Sequence, residues 1–220
     1  ELGADRRRLR VVQNGAQPER YGDDTRQAAA IVRARWQLPR GAFALGFVGY
    51  MRPWHRLDLV VELMTRPAFG AMHLVLMGDG PALEGLVAMA AARGVGDRLH
   101  ALGVVPSEVL PSHVCALDAA LVPAINGYAS PLKLFDSLAA GVPTLAPDQP
   151  NLRELVVDGD SALLFEPGNV DALATKLLAL LADRTLGPRI GRRGHERLLQ
   201  QQWTWDGNAA RVAAIAGELL

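Results

Sequence analysis

Residues 130–136 read Ser-Pro-Leu-Lys-Leu-Phe-Asp, and residues 139–144 read Ala-Ala-Gly-Val-Pro-Thr. The first stretch predicts a helix start, because Ser130 can be the N-cap, its hydroxyl accepting an otherwise unpaired backbone N–H. Pro131 suits the first helical position, where a missing N–H costs nothing. Apolar runs predict a strand on either side of this helix. Such an order is typical of a parallel sheet, which places the helix start at the carboxyl edge of the sheet, where these folds bind ligands.

The predicted helix start carries the groups that an anion needs. The N–H groups of Leu132 and Lys133 lie at the positive end of the helix dipole, which favours a bound phosphate. Lys133 adds a mobile cation beside them. Asp136, one turn further on, can accept a hydrogen bond from a group attached to that phosphate. These residues predict a nucleoside diphosphate held by its phosphates and its ribose.

Length and composition favour one globular domain and exclude several classes of protein. The 220 residues are half hydrophobic, enough to bury a full core. Lys and Arg total 23, as do Asp and Glu, so charge gives no reason to expect nucleic-acid or membrane-surface binding. Cys115 is the only cysteine, which excludes an intrachain disulfide and favours a reducing compartment. No apolar run approaches the roughly 20 residues of a membrane span, and a first residue Glu1 points to a fragment.

Short apolar runs alternate with helix-length periodic segments along the chain. Strands are predicted at residues 9–12, 44–48, 73–77, 99–102, 119–122, 144–146 and 162–165. Helices are predicted at residues 24–36, 57–64, 82–93, 106–115, 131–140, 151–156, 170–182, 189–201 and 206–219. The Val- and Leu-rich strands predict a single α/β domain over residues 1–220, with a doubly wound, Rossmann-like parallel sheet covered on both faces. Residues 1–15 are predicted to form a linker and first strand, and residues 185–220 extra C-terminal helices.

A second loop is predicted at the same sheet edge. It reads Gly-Tyr-Met-Arg-Pro-Trp-His-Arg over residues 49–56. Arg52, through its planar guanidinium, and His55, as a hydrogen bond donor, are candidates to face a phosphate across the cleft. The alternative is a solvated turn with an aromatic cap. Gly78-Asp79-Gly80 follows the next strand, but Leu83 stands where a nicotinamide-binding fingerprint needs a third glycine, so only close backbone approach to a ligand is predicted there.

Other patterns have simpler interpretations than a second site. Asp158-Gly159-Asp160 could be a metal-binding carboxylate pair, but an Asp/Gly turn explains it. The five histidines have no metal-ligand spacing, and no Gly-x-Ser-x-Gly elbow or Cys/His pair supports a hydrolase. Trp203 and Trp205 are interpreted as packing anchors. The residues therefore predict no metal site.

Segments spread over nearly the whole chain carry a family resemblance. They are VVQNG at 11–15, ERY at 19–21, FVG at 47–49, RPWH at 52–55, LMGDGP at 76–81, NLRELV at 151–156, LLF at 163–165 and WTWD at 203–206. Together with SPLKLFD at 130–136, they resemble the C-terminal, donor-binding half of retaining glycosyltransferases of family 4. Residues 130–136 are similar to a sub-group with the motif SPLKLFE. Members of this family have the GT-B architecture of two Rossmann-like domains.

The resemblance implies that a nucleotide-diphosphate sugar, of UDP or GDP type, binds in the crevice. Arg52, His55 and Lys133 would then be catalytic residues that stabilise the leaving diphosphate, which Ser130 and Leu132 also hold. The other implied contacts are Gly49 and Gly78 with the nucleotide, Val105 with the base, Asp136 with the ribose, and Tyr128 and Ala129 with the donor sugar. No metal and no cofactor is implied, because the helix dipole and the cations do that work.

The resemblance also implies an N-terminal acceptor domain that these 220 residues lack. We therefore expect the fragment to bind nucleotide weakly and not to turn over, because catalysis needs closure of both domains. The full-length protein is expected to be cytoplasmic or peripheral to the inner membrane. Tyr128 and Asp136 stand where the family has glutamates, which leaves alternatives open. One alternative is a sugar-nucleotide epimerase or phosphorylase of the same architecture, although the sequence lacks the cofactor lysine motif of a phosphorylase. The other alternative is a non-catalytic domain that binds a nucleotide sugar or serves as a scaffold.

Overall fold

The structure is a parallel sheet between two layers of helices. It is a computed structural model and describes residues 9–218. These residues form six strands: β1 (Phe43–Val48), β2 (Met72–Met77), β3 (Leu99–Ala101), β4 (Ala119–Leu121), β5 (Thr144–Pro147) and β6 (Leu163–Phe165). Every neighbouring pair is parallel, and the strand order is β3-β2-β1-β4-β5-β6. The predicted doubly wound, Rossmann-like sheet is therefore confirmed.

The helices lie on both faces of this sheet. They are α1 (Asp23–Arg35), α2 (Leu57–Met64), α3 (Leu83–Ala92), α4 (Leu110–Cys115), α5 (Leu132–Ala140), α6 (Pro150–Arg153), α7 (Val170–Ala182), α8 (Leu186–Gln200) and α9 (Trp205–Gly217). Buried residues of α1, α4 and α5 form one core with one face of the sheet, and those of α2, α3 and α7 form another with the opposite face. Within residues 9–218, no helix is long and apolar enough to cross a membrane.

Burial of the strands on both faces explains their composition. Along β1, Ala44 faces the α1 layer while Leu45 and Phe47 face the α2 layer, and none of the three is exposed to solvent. Successive side chains of a strand point to opposite faces, so a strand covered on both sides is mostly apolar along its whole length. This is why continuous apolar runs indicated the positions of β1 to β6.

The segment at residues 9–12 is not a strand, which corrects the prediction. Leu9 and Val11 are exposed, and no strand pairs with this segment in the described part of the chain. The residues that follow this segment are hydrogen-bonded to the C-terminal region instead. The Ala16 N–H donates to the Trp203 carbonyl (3.0 Å), and the Trp205 N–H donates to the Ala16 carbonyl (3.3 Å). An apolar run becomes a strand only where a sheet edge offers backbone partners, and here none does.

The predicted C-terminal helices are present, with some shifted ends. Trp203 is buried edge-on against Phe135 (5.9 Å between ring centroids), which confirms it as a packing anchor. The same interpretation of Trp205 is wrong, because that side chain is 45% exposed at the start of α9. Val212 of α9 is also exposed, and the predicted end of this helix at Leu219 lies outside the described residues.

A histidine pair links β2 and β3 on the face of the sheet that α1 covers. His73 Nδ1 lies 2.9 Å from His100 Nε2, and the two rings are stacked. His73 is buried. Burial is the main cause that lowers the pKa of both imidazoles below the ordinary value of 6.5, and for His73 the neighbouring His100 lowers the pKa further. The fold therefore favours the neutral form of both rings.

We expect the free energy of unfolding to fall as the pH drops from about 7 to about 5. The unfolded chain protonates these rings near pH 6.5 while the folded chain resists it, so added protons favour unfolding. Denaturant unfolding across this range, compared with a variant carrying His73→Gln and His100→Gln, measures the effect. The variant should lose less stability with falling pH. Equal losses in the two proteins would contradict the prediction.

Candidate functional site

The site lies where the strand order reverses, between β1 and β4. Chains leaving adjacent strands diverge at such a point and leave a crevice at the carboxyl edge of the sheet. Two cavities open there, each of about 400 Å³. The central cavity lies between the loops after β1 and β4 and includes His55, Ala129, Lys133 and Asp136. The lateral cavity lies between the loops after β1, β2 and β3, and both cavities share Val48 and Gly49.

The start of α5 differs in detail from the prediction. Pro131, with an extended backbone (ψ 119°), is the N-cap, and no side chain caps the helix. Ser130 is not the cap because its hydroxyl accepts the Asn14 N–H (3.2 Å) while its carbonyl accepts from Asn14 Nδ2 (2.6 Å). The N–H groups of Leu132 and Lys133 have no acceptor among residues 9–218. An uncapped helix N-terminus beside a cavity is a favourable place for an anion.

Lys133 brings an unpaired cation to the central cavity. Its Nζ lies 4.0 Å from the centroid of the Phe47 ring, and no carboxylate in the described residues pairs with it. Burial lowers the pKa of Lys133 to about 8, so the ammonium is charged near neutral pH but poorly hydrated. A desolvated charge without a partner is costly, and an anionic ligand would relieve that cost.

His55 faces the same cavity as a neutral ring. The Arg52 N–H donates to His55 Nδ1 (3.1 Å), which leaves the ring proton on Nε2. Burial, followed by the positive charges of Lys133 and Arg52, lowers the pKa of His55 to about 4. His55 therefore offers a hydrogen bond donor to the cavity near neutral pH, and it does not add a positive charge there.

Arg52 lies beside the central cavity, not in it. Its guanidinium is 4.9 Å from the Tyr50 ring centroid and 5.1 Å from the Trp54 ring centroid. Arg52 lines a separate cavity of about 330 Å³ between the starts of α2 and α3. The structure thus brings His55 and Lys133 together and leaves Arg52 on the neighbouring aromatic pair. A phosphate contact by Arg52 remains a prediction.

The glycines of the predicted loops allow backbones to approach each other closely. Gly49 and Gly78 have φ values of +134° and +131°. A Cβ on Gly78 would lie 2.2 Å from the Gly49 carbonyl oxygen, so the turns after β1 and β2 are in backbone contact. The Met51 N–H donates to the Asp79 carbonyl (2.6 Å) and joins the same two turns. These turns form the wall shared by both cavities.

Asp136 lines the central cavity, and one of its two carboxylate oxygens accepts a hydrogen bond from the protein. Its Oδ1 accepts a hydrogen bond from the Tyr21 hydroxyl (2.9 Å), and Oδ2 has no partner in the described chain. Burial raises the pKa of Asp136, while the Tyr21 hydrogen bond and the Arg20 charge act in the opposite direction. Sequence reasoning missed Tyr21, because nothing in the spacing of two residues 115 positions apart indicates a contact.

The residues proposed for the donor sugar lie in the loop after β4. Ala129 lines the central cavity, whereas Tyr128 is 87% exposed and its hydroxyl accepts from Asn126 Nδ2 (3.2 Å). Asn151, at the start of α6, donates to the carbonyls of Ala129 (2.8 Å) and Asn126 (3.3 Å) and so fixes this loop. Asn151 was not predicted as a site residue, because its role depends on a contact between two loops.

Val105 lies in the lateral cavity, which is mostly apolar. The other lining residues include Tyr50, Met77, Val104 and Leu110. A planar base could pack against such a surface beside the backbone of the glycine turns. The two cavities therefore offer an apolar compartment next to a polar one.

The acidic turn considered for a metal has protein partners. Asp158 accepts from the Leu164 N–H (2.8 Å) and from Lys176 Nζ (2.7 Å), and Asp160 accepts from Arg193 Nε (3.0 Å). Between residues 9 and 218, no three His, Cys, Asp or Glu side chains are grouped so that they could hold a metal ion.

The chain also matches known proteins in sequence. Residues 30–197 match the family described as "Glycosyl transferases group 1". The chain is 33% identical over 228 residues to a D-inositol 3-phosphate glycosyltransferase of Geodermatophilus obscurus, covering 99% of this chain and 50% of that protein. It is 32% identical over 148 residues to a GDP-mannose-dependent alpha-(1-6)-phosphatidylinositol monomannoside mannosyltransferase of Mycobacterium tuberculosis, covering 64% of this chain and 38% of that one. The chain thus spans about half, or less, of the length of these relatives.

Solved structures share the fold at lower sequence identity. Anabaena Alr3699/HepE, solved in complex with UDP and glucose, aligns with a TM-score of 0.84 at 17% identity, covering 98% of this chain and 59% of that chain. The C-terminal domain of a group 1 glycosyl transferase (LpcC) from Francisella tularensis aligns with a TM-score of 0.71 at 19% identity, covering 87% of this chain and 100% of that chain. Both confirm the Rossmann-like fold of GT-B enzymes. The family match over residues 30–197 shows that the chain belongs to the group 1 glycosyl transferases.

Proposed function

We propose that this domain is the donor-binding half of a retaining glycosyltransferase, which transfers a sugar from a nucleotide-diphosphate sugar to an acceptor. The observation that carries the proposal is the charged, half-buried and unpaired Lys133 beside the free N–H groups that begin α5. Lys133 Nζ and the N–H groups of Leu132 and Lys133 are three hydrogen bond donors around one cavity. A diphosphate, with its negative charge and many acceptor oxygens, suits these donors better than a neutral ligand does.

Each subsite has a proposed occupant. The diphosphate binds at the Leu132 and Lys133 amides, with Lys133 Nζ and the His55 Nε2–H as further donors. As the bond from sugar to phosphate breaks, these donors stabilise the negative charge that develops on the leaving diphosphate. The ribose binds at Asp136, the base in the lateral cavity near Val105, and the sugar beside Ala129. No metal is required in this arrangement.

The relatives support a nucleotide-sugar donor but differ in the base. One solved relative holds UDP and glucose, and one sequence relative is named for GDP-mannose. Transfer also needs an acceptor site, which we propose lies on a second domain beyond these 220 residues. The domain alone is therefore expected to bind the nucleotide without turnover.

We expect the domain to bind UDP or GDP with a Kd at or below about 1 mM, and to bind uridine or guanosine at least tenfold more weakly. The reason is that Lys133 and the positive end of the α5 dipole have no negatively charged partner, and the diphosphate supplies one. Isothermal titration calorimetry with all four ligands measures this. Absence of binding by either diphosphate at millimolar concentration, or equal affinity for nucleoside and diphosphate, contradicts the proposal.

One observation argues against the rival, a degenerate scaffold domain. A scaffold that had lost its ligand would be expected to fill the cleft with a side chain such as Tyr128. Tyr128 instead points to solvent and does not line the central cavity, which stays open at about 400 Å³. An open cleft with an unpaired cation favours ligand binding.

A further inference from the structure

The contact between Tyr21 and Asp136 joins two distant parts of the chain at the edge of the central cavity. Tyr21 ends a short 3-10 turn, Pro18–Tyr21, and is only 3% exposed. Its hydroxyl donates to Asp136 Oδ1 over 2.9 Å. Asp136 Oδ2 has no partner in the described residues, although the side chain lines the cavity.

The turn that carries Tyr21 is held in place by its surroundings. Thr25 Oγ1 donates to the Arg20 carbonyl (2.9 Å), and the Arg20 side chain donates to the Ser107 carbonyl. The ring itself belongs to the core formed with α1, α4 and α5. Burial is the main cause that raises the pKa of Tyr21 above its ordinary value, so the hydroxyl keeps its proton and acts as a donor. A rigid donor fixes the oxygen that it contacts.

A carboxylate has two equivalent oxygens and can rotate about the bond to its Cβ. The Tyr21 hydrogen bond restricts that freedom, because rotation would break a part-buried contact at a cost of about 1 kcal/mol. Oδ1 then accepts the hydrogen bond from Tyr21, and Oδ2 is left as an acceptor at the cavity. This arrangement prepares Asp136 for a single hydroxyl donor at a defined position.

We propose that Tyr21 is a positioning residue, whose hydroxyl orients Asp136 so that Oδ2 accepts a ribose hydroxyl of the nucleotide. The proposal rests on the proposed function, since it needs a nucleotide in the central cavity. The competing explanation is structural: the hydrogen bond merely fastens the segment before α1 to α5. The two explanations differ in what Tyr21→Phe does to recognition of the ribose.

The experiment compares wild type, Tyr21→Phe, Asp136→Ala and the double variant. Titration calorimetry measures the affinity for UDP and GDP, for their 2′-deoxy and 3′-deoxy counterparts, and for inorganic pyrophosphate. Phe retains the buried ring, and a thermal denaturation curve for each variant reports on folding. Pyrophosphate has no ribose, so it measures the phosphate subsite alone.

We expect Tyr21→Phe to weaken nucleoside diphosphate binding about threefold to tenfold and to leave pyrophosphate binding within about twofold. The preference for a ribose over a deoxyribose should shrink in Tyr21→Phe and vanish in Asp136→Ala. In the Asp136→Ala background, Tyr21→Phe should have no further effect on nucleotide binding, because the two residues act as one unit.

Three outcomes would overturn the inference. They are unchanged ribose preference in a folded Tyr21→Phe, equal loss of pyrophosphate and nucleotide binding in that variant, and wild-type ribose preference in Asp136→Ala. The last remains decisive if Tyr21→Phe does not fold. Failure of wild type to bind pyrophosphate, UDP and GDP alike would instead overturn the proposed function.

Discussion

Lys133→Ala is expected to weaken binding of UDP or GDP by about 1–3 kcal/mol, or roughly 5- to 150-fold. The substitution removes the cation that lies beside the free amides of α5, and no other Lys or Arg lines the central cavity in the described residues. Affinity for the free nucleoside should hardly change. Titration calorimetry on both ligands tests this. Equal losses for the diphosphate and the nucleoside would mean that Lys133 does not contact the phosphates.

The sequence provides a matched control, since Lys176 is the only other lysine. Its Nζ pairs with Asp158 (2.7 Å) away from both cavities, so Lys176→Ala should leave diphosphate affinity unchanged. The thermal denaturation midpoint of Lys133→Ala should not fall, because the variant loses a desolvated charge that has no carboxylate partner.

Binding should also depend on pH through the same residue. Burial lowers the pKa of Lys133 to about 8, so the free protein loses the positive charge as the pH rises past that value. Wild-type affinity for the diphosphate should therefore decline above about pH 8, while that of Lys133→Ala should stay flat. With only two lysines in the chain, methyl resonances after reductive dimethylation can report the pKa directly. An ordinary lysine pKa at position 133 would remove the basis for this dependence.

Gly78→Ala is expected to destabilise the domain by about 3 kcal/mol or more. The residue has a φ of +131°, and an added Cβ would lie 2.2 Å from the Gly49 carbonyl oxygen. Backbone cannot move aside as the tip of a side chain can, so the turns after β1 and β2 must separate. Denaturant unfolding measures the loss, and nucleotide affinity should fall with it, because these turns form the wall between the cavities.

Gly103→Ala separates steric overlap from backbone strain. Gly103 also has a positive φ (+69°), but nothing lies within 4 Å of its would-be Cβ. We expect a loss of about 1 kcal/mol there, the ordinary cost of the left-handed conformation for alanine. Similar losses in the two variants would show that the contact between the turns is not what constrains Gly78.

Local sequence patterns identified the parts of the fold that depend on local chemistry. The β1 and β2 strands are buried on both faces and, apart from His73, carry no polar side chain, and their apolar runs predicted buried strands for that reason. The run at residues 9–12 has similar composition but no sheet edge to pair with, so the strand predicted there from composition was wrong. Ser130 was expected to cap α5, and only the position of Asn14 shows that its hydroxyl is already in use.

The sequence by itself determined the doubly wound sheet, the helix start with its free amides, and the placement of Lys133 and Asp136 one turn apart on one helix. These features follow from burial of strands, the restricted backbone of proline and the periodicity of a helix, all of which act over a few residues. The tertiary structure alone decided that Arg52 lies on Tyr50 and Trp54, that His55 is neutral, and that Tyr21 holds Asp136. Those outcomes depend on desolvation and on contacts between residues far apart in the chain, which no local pattern encodes.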